Sequence, residues 1–184
     1  MKASLYNMEI DVGSHMGMSI EQREYDPFKT PYEVDDQIFP LYDTLREQFS
    51  FLLRYAILAP SNHNTQPWKF RYSNEGIAVY ADYSRRLPVA DPGNRELLMS
   101  VGAAIMNLHV AAAQFGFETL IEYNQSGDSE RPLAFVRLSR PQVLSPAERK
   151  LAQLFPAITK RHTNRNPFLM ARVPEQVIGV LNEM

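Results

Sequence analysis

The chain contains no cysteine. That excludes disulfides, thiolate metal sites, iron–sulfur clusters and a cysteine nucleophile, and it fits a cytoplasmic protein. Charge of one sign is also lacking: 19 Lys and Arg stand against 21 Asp and Glu, a net charge of -2. No electrostatic case exists for nucleic acid or a membrane surface as partner. No apolar run reaches the roughly 18 residues of a membrane helix, and no signal-peptide segment opens the chain. What is present is ordinary for one globular domain with a real core: 184 residues, 45% hydrophobic and 22% charged.

Gly13-Ser14-His15-Met16 reads like an expression-vector scar, so residues 1–18 are expected to be tag and leader. Residues 19–40 are charged and proline-punctuated without a clear period, an irregular arm whose Tyr25, Phe28 and Tyr32 could pack on a neighbour. The folded domain is expected over 41–184. Leu41, Leu45, Phe49, Leu52, Leu53 and Ala56 fall on one face of a helix. Trp68, Phe70 and Tyr72 alternate with Lys69 and Arg71, a half-buried strand. The turn Ser73–Gly76 joins it to a second strand, Ile77 to Ala81.

Asp91-Pro92-Gly93-Asn94 opens the longest helix, with Asn94 or Asp91 as its cap. From Leu97 to Phe115 that helix is apolar over most of its circumference and is expected to be buried. Gly102 costs about 1 kcal/mol of helix propensity, which suggests close approach of other backbone. His109 reads as a satisfied or exposed helix residue rather than a ligand. Gly116 supplies the stop. Glu118 to Tyr123 and Leu133 to Leu138 alternate as strands around a turn at Gln125–Asp128. Ser145 and Glu148 make a capping box for a helix to about Phe155. A last helix starts at Pro174, with Val177, Val180 and Leu181 on its apolar side. The fold class is therefore α+β: a small, mainly antiparallel or mixed sheet packed against a long buried central helix.

Two stretches carry chemistry. In the first, Pro60 and Pro67 bracket Ser61, Asn62, His63, Asn64, Thr65 and Gln66. Each proline disfavours helical geometry at the residue before it, so the helix should end near Ala59 and the chain should enter the next strand extended. Hydroxyls and amides that both donate and accept suit a neutral heterocycle such as a flavin or a base, and do not suit a metal. The same residue types are also common in ordinary turns. The second stretch is Arg161-His162-Thr163-Asn164-Arg165, beside Lys160. Two guanidinium groups and a hydroxyl can hold a phosphate; equally, this can be a basic exposed loop. Arg85 and Arg86 read as solvated.

The wording of these stretches resembles a known family. A-P-S-x-x-N-x-Q-P-W is similar to the flavin-contacting loop of nitroreductases. D-x-S-R-x-L-P-x-x-D-P-x-x-R-E and the order of the motifs resemble the tandem branch that includes the mycobacterial Acg proteins. The helix S-V-G-A-A-I-M-N-L-H-V-A-A-A-Q-F-G-F resembles the central helix that packs at the subunit interface. R-H-T-N-R-x-P-F is similar to the segment that grips the flavin phosphate. In that branch this segment follows the loop, so the chain resembles a first half plus the start of a second.

The resemblance implies a nitroreductase-like fold, FMN as cofactor, and NAD(P)H with a small electron acceptor, a nitro-aromatic or quinone, as partners. It also implies a homodimer. Ser61, Asn62, Asn64 and Gln66 would contact the flavin ring or ribityl chain, and Arg161, His162, Thr163 and Arg165 would sit at its phosphate. No side chain is implied as catalytic and no metal is implied. The G-x-G-x-x-G fingerprint of a resident nicotinamide is absent, in keeping with a donor that visits and leaves. Two other readings stand beside this one: a flavin-sequestering protein with little turnover, the arm covering the ring, and an incomplete half-domain without cofactor.

Overall fold

The computed structural model describes residues 36–124, 131–164, 166–167 and 170–182. The expected tag and leader, the arm as far as residue 35 with Tyr25, Phe28 and Tyr32, and the turn at Gln125–Asp128 lie outside the described residues. Phe39 is described. It stacks on Phe115 with ring centroids 4.5 Å apart and meets Phe51 edge-on at 5.3 Å.

The first helix, α1, spans Leu45–Ala56. It begins later than the Leu41 spacing suggests because Thr44 takes the N-cap. The Thr44 hydroxyl accepts from the Glu47 amide at 3.3 Å, and the Glu47 carboxylate accepts from the Thr44 amide at 3.0 Å. This reciprocal capping satisfies two amides at the helix start. Leu41 stays outside in a turn, its carbonyl held by the side-chain amide of the buried Gln48 at 3.0 Å. The helix also ends short of Ala59: Ile57, Leu58 and Ala59 leave it through successive turn bonds to Leu53, Tyr55 and Ala56.

Four strands follow: β1 Trp68–Ser73, β2 Gly76–Ala81, β3 Glu118–Tyr123 and β4 Ala134–Ser139. They form one sheet in the order β1-β2-β4-β3, and every neighbouring pair is antiparallel. Trp68 and Phe70 of β1, Ile77 and Val79 of β2, and Ala134 and Val136 of β4 point into one core. Gly76 has φ +153°, and a Cβ there would collide with the Val136 carbonyl oxygen. Glycine therefore lets the β1–β2 turn lie directly against β4.

The central helix, α2, spans Arg95–Gln114 and packs on α1 and on the same sheet face. Val101, Ala104, Leu108, Ala111 and Ala112 are fully enclosed. Among the described residues α2 is the one helix long and apolar enough to cross a bilayer, with a mean hydropathy of 1.4 over an 18-residue window. Here most of its apolar surface is spent on the core. The burial is not all-round as expected. Leu98, Met99 and Met106 are exposed, and nothing lies within 4 Å of a Cβ added at Gly102. Within one chain Gly102 makes no close approach; it lies in an open apolar stripe.

The helix expected from Ser145 to about Phe155 stops early, as α3 Pro146–Ala152, and a further short helix that was not expected, α4, spans Phe155–Lys160. The capping box of α3 is half formed. The Ser145 hydroxyl accepts from the Glu148 amide at 3.2 Å, but the Ser145 amide donates to the Glu118 carboxylate at 2.8 Å. The Glu148 carboxylate is thus released to reach Nε2 of His109 at 3.1 Å and the Thr119 amide at 3.3 Å. That pins α3 to both α2 and β3, and His109 is satisfied as a helix residue. The last helix, α5, spans Glu175–Asn182 and has no buried residue; its apolar side, Val177, Val180 and Leu181, faces outward.

Candidate ligand site

The connection between α1 and β1 is tightly wound. Ser61 is extended, and a 3₁₀ turn covers Asn62–Asn64. The Asn64 amide donates to the Ser61 carbonyl and the Thr65 amide to the Asn62 carbonyl, both at 3.0 Å. The Thr65 hydroxyl donates to that same Asn62 oxygen at 3.0 Å. His63, Asn64 and Gln66 take positive φ of 48°, 55° and 50°. Left-handed geometry is more common at Asn and His than at other side chains and costs energy at Gln. The expectation that Gln66 enters β1 extended therefore fails. Its amide donates to the Ser61 hydroxyl at 2.9 Å, and that closure, with the 3₁₀ turn, overrides the proline's local preference.

These bonds sort the four residues expected at the ring. The Ser61 hydroxyl closes the loop. Gln66 is buried, 7% exposed. Asn62 is half-buried and Asn64 exposed, and among the described residues neither side-chain amide has a hydrogen-bond partner. Asn62 and Asn64 are the two that present free donors and acceptors.

The loop is also held from outside. Arg85, expected as solvated, donates from Nη1 to the Thr65 carbonyl at 3.0 Å, and its Nε lies 3.3 Å from the Asp82 carboxylate. Asp82 is 5% exposed and also receives the Ser84 hydroxyl at 2.6 Å and the Lys69 ammonium at 3.4 Å. Burial alone would push its carboxyl up. The Ser84 hydroxyl, the Lys69 charge and the Ser84 amide outweigh that and hold it below the usual aspartate value. The Asp82 amide in turn donates to the Pro67 carbonyl at 3.0 Å. Sequence reasoning left Arg85 in solvent because nothing in its own neighbourhood names Thr65 as a partner.

A groove of about 620 Å³ runs between Pro60, Ser61 and Asn62 on one side and the first turns of α2 on the other, where Asp91, Arg95 and Ser100 line it. The start of α2 uses both cap candidates. Asn94 takes the N-cap position with φ 55° and no side-chain bond, while the Asp91 carboxylate accepts the Leu97 amide at 2.9 Å. Arg95 is exposed and carries no ion pair among the described residues. Arg95 falls within the D-P-x-x-R-E wording, but nothing local in the sequence marks it as a groove residue.

Of the second stretch, Arg161 is the residue tied to the loop. It closes α4, and its Nη2 donates to the Leu58 carbonyl at 3.4 Å while Nη1 reaches the Thr163 hydroxyl at 3.5 Å. Its Nε is buried without a partner among the described residues. His162 and Thr163 are exposed. Arg165 lies outside the described residues. The structure thus brings Arg161 and the entry to the Pro60 loop together within one chain.

An antiparallel sheet, a long central helix crossing it and a polar loop at the helix's N-terminal end define an α+β domain of nitroreductase-like fold. No family model matches the chain. Over 143 residues it is 32% identical to a Mycobacterium tuberculosis protein provisionally named NAD(P)H nitroreductase Rv3131, covering 78% of this chain and 39% of the relative. It is 31% identical over 116 residues to the provisionally named NAD(P)H nitroreductase acg of the same species, covering 63% and 34%. It is 30% identical over 139 residues to PigM of a Serratia strain, also provisionally named an NAD(P)H nitroreductase, covering 73% and 38%. These matches support assignment of the chain to the nitroreductase family. The chain spans about two fifths of the length of the curated relatives it matches.

Proposed function

We propose that the chain is the flavin-binding part of a cytoplasmic, FMN-dependent NAD(P)H oxidoreductase of nitroreductase type, acting on nitro-aromatics or quinones. The observation that carries the reading is the Arg161–Leu58 contact, which sets a cation beside a loop of neutral amides. Charge at one end and uncharged donors and acceptors at the other match a flavin mononucleotide. The groove beside Asn62 has a volume of about 620 Å³, inside the range of roughly 300–1,000 Å³ usual for small-molecule sites.

Asn62 and Asn64 hold the ring or ribityl chain; Ser61 and Gln66 set the loop that presents them. Arg161, with Thr163 and Arg165, holds the phosphate. The bound flavin supplies the hydride chemistry, and the chain supplies position and hydrogen bonds, so no side chain is assigned a catalytic role. Two copies pair through the open stripe of α2. The relatives' names supply the nicotinamide donor and the nitroreductase activity.

The test is an absorption spectrum of the purified chain with an FMN fluorescence titration. Binding with flavin absorbance that bleaches on adding NADPH is expected. Flavin that binds but does not bleach would move the reading to sequestration. A chain that neither carries nor takes up FMN would overturn it, leaving an incomplete half-domain.

A further inference from the structure

The groove and the open stripe share one face of α2. Met99 and Met106 are seven positions apart, about two helical turns, so one side chain stands nearly above the other. Gly102 and Ala103 fall between them, and a Cβ added at Gly102 meets nothing within 4 Å. Met99 is 63% exposed and Met106 44% exposed. Met99 and Ala103 also line the groove, with Ser61 and Asn62; Met106 does not. Met99 therefore belongs to two surfaces at once, the end of an apolar stripe and the wall of a polar cleft that small solutes enter.

That double position matters for a thioether. Methionine is a soft, apolar side chain until its sulfur is oxidised, and then it is polar and no longer suits an apolar interface. The chain has 8 methionines and no cysteine, so its sulfur chemistry is methionine chemistry alone.

We propose that Met99 is a peroxide-sensitive modification site that controls the pairing of two copies. The step is a two-electron oxygen transfer from hydrogen peroxide. The Met99 sulfur lone pair attacks one peroxide oxygen, the O–O bond breaks and the S–O bond forms. The second oxygen leaves with both protons as water, so sulfur is oxidised and peroxide reduced. The proposal rests on the pairing of copies through the α2 stripe. In such a pair Met106 is covered by the other copy, while Met99 is still reached from the groove. The sulfoxide oxygen keeps its water only by drawing the side chain off the stripe; left on the stripe it is unpaired among apolar groups. Pairing weakens in either case, and reduction of the sulfoxide restores it.

The test is peroxide treatment of the purified chain. Peptide mass spectrometry locates the sulfoxide, and analytical ultracentrifugation measures the pairing constant. Met170, fully exposed, is the reference for an unhindered thioether. In the paired chain Met99 is expected to oxidise alongside Met170, and Met106 only later. The oxidised chain is expected to pair about tenfold more weakly or worse, and to recover with methionine sulfoxide reductases. Met99→Leu, apolar and of similar volume, is expected to pair like the parent before and after the treatment. Met99 left intact while Met170 reacts, Met106 oxidising as fast as Met99 in the pair, or an unchanged pairing constant after Met99 oxidation overturns the site. So does a Met99→Leu variant that peroxide dissociates as it does the parent. A parent that is monomeric before any peroxide removes the pairing reading and the control with it. A parent that pairs and is indifferent to peroxide removes the control alone.

Discussion

Arg161 and Leu58 meet across 103 residues of sequence, the guanidinium Nη2 donating to the carbonyl oxygen at 3.4 Å. One end of the folded segment is thereby fastened to the mouth of the loop at the other. A guanidinium keeps further donors after such a bond, and these are the ones assigned to the phosphate.

Arg161→Ala is expected to weaken FMN binding by about 10- to 100-fold, the loss of charge-assisted hydrogen bonds worth roughly 1.5–3 kcal/mol. Arg161→Lys should recover part of it by keeping the charge. Fluorescence quenching of FMN measures both. Affinity within a factor of two of the parent in Arg161→Ala would remove the phosphate assignment.

Asp82→Asn is expected to destabilise the fold by about 2 kcal/mol near neutral pH, because Lys69 and Arg85 lose a buried counter-charge. The carboxyl is held below its ordinary value in the folded chain. Its contribution is thus complete above the usual aspartate pKa of about 4 and disappears as pH falls through the lower folded value. Urea unfolding at neutral and at acidic pH should show the gap between parent and variant closing in acid. A gap that widens in acid would contradict the sign.

Glu148→Ala removes the partner of His109 Nε2 and of the Thr119 amide at once. A loss of about 2–3 kcal/mol is expected, the cost of leaving partly buried donors unmet. The urea midpoint should fall with its slope unchanged. A midpoint equal to the parent's would mean that α3 is held by packing alone.

Met106→Glu tests the pairing of copies. Met106 stands exposed on the open stripe of α2 with Leu98 and Met99. A carboxylate there costs nothing in the isolated chain and is unpaired in an apolar seam. Light scattering is expected to show a dimer for the parent and a monomer for the variant. Gly102→Ala should raise helix stability by up to about 1 kcal/mol in that monomer, since a Cβ at Gly102 meets nothing within 4 Å. Identical masses for parent and Met106→Glu would remove the seam.

The strands and the central helix were legible because their periodicity is local. Trp68, Phe70, Ile77 and Val79 alternate in the sequence and all lie in the core. Helix starts were harder. Leu41 continues the helical spacing, yet Thr44 and Glu47, three residues apart, decide where α1 begins. Glu148 shows the same competition in reverse, since a distant imidazole and amide outcompete the local cap. In the loop, Pro67 argued for an extended Gln66, and a hydroxyl five residues upstream overrode it. The Thr65 partner of Arg85 and the Leu58 partner of Arg161 are long-range and have no local signature. Periodicity did not mark the open stripe of α2, because hydrophobicity alone does not say which apolar face has a neighbour within the chain; the resemblance to an interface helix was what implied a seam there.

The Arg85–Thr65 and Asp82–Pro67 bonds have a kinetic consequence. They clamp the exit of the loop to the end of β2, in a hairpin paired residue for residue from Trp68↔Ala81 to Ser73↔Gly76. Remoulding the loop around an arriving molecule would mean unzipping that hairpin from its open end at Trp68 and Ala81. Capture should therefore proceed as a single encounter step whose rate rises in proportion to concentration, without the slow second phase of a receptor that closes afterwards. Differences in affinity among ligands should then show up in how long each one stays.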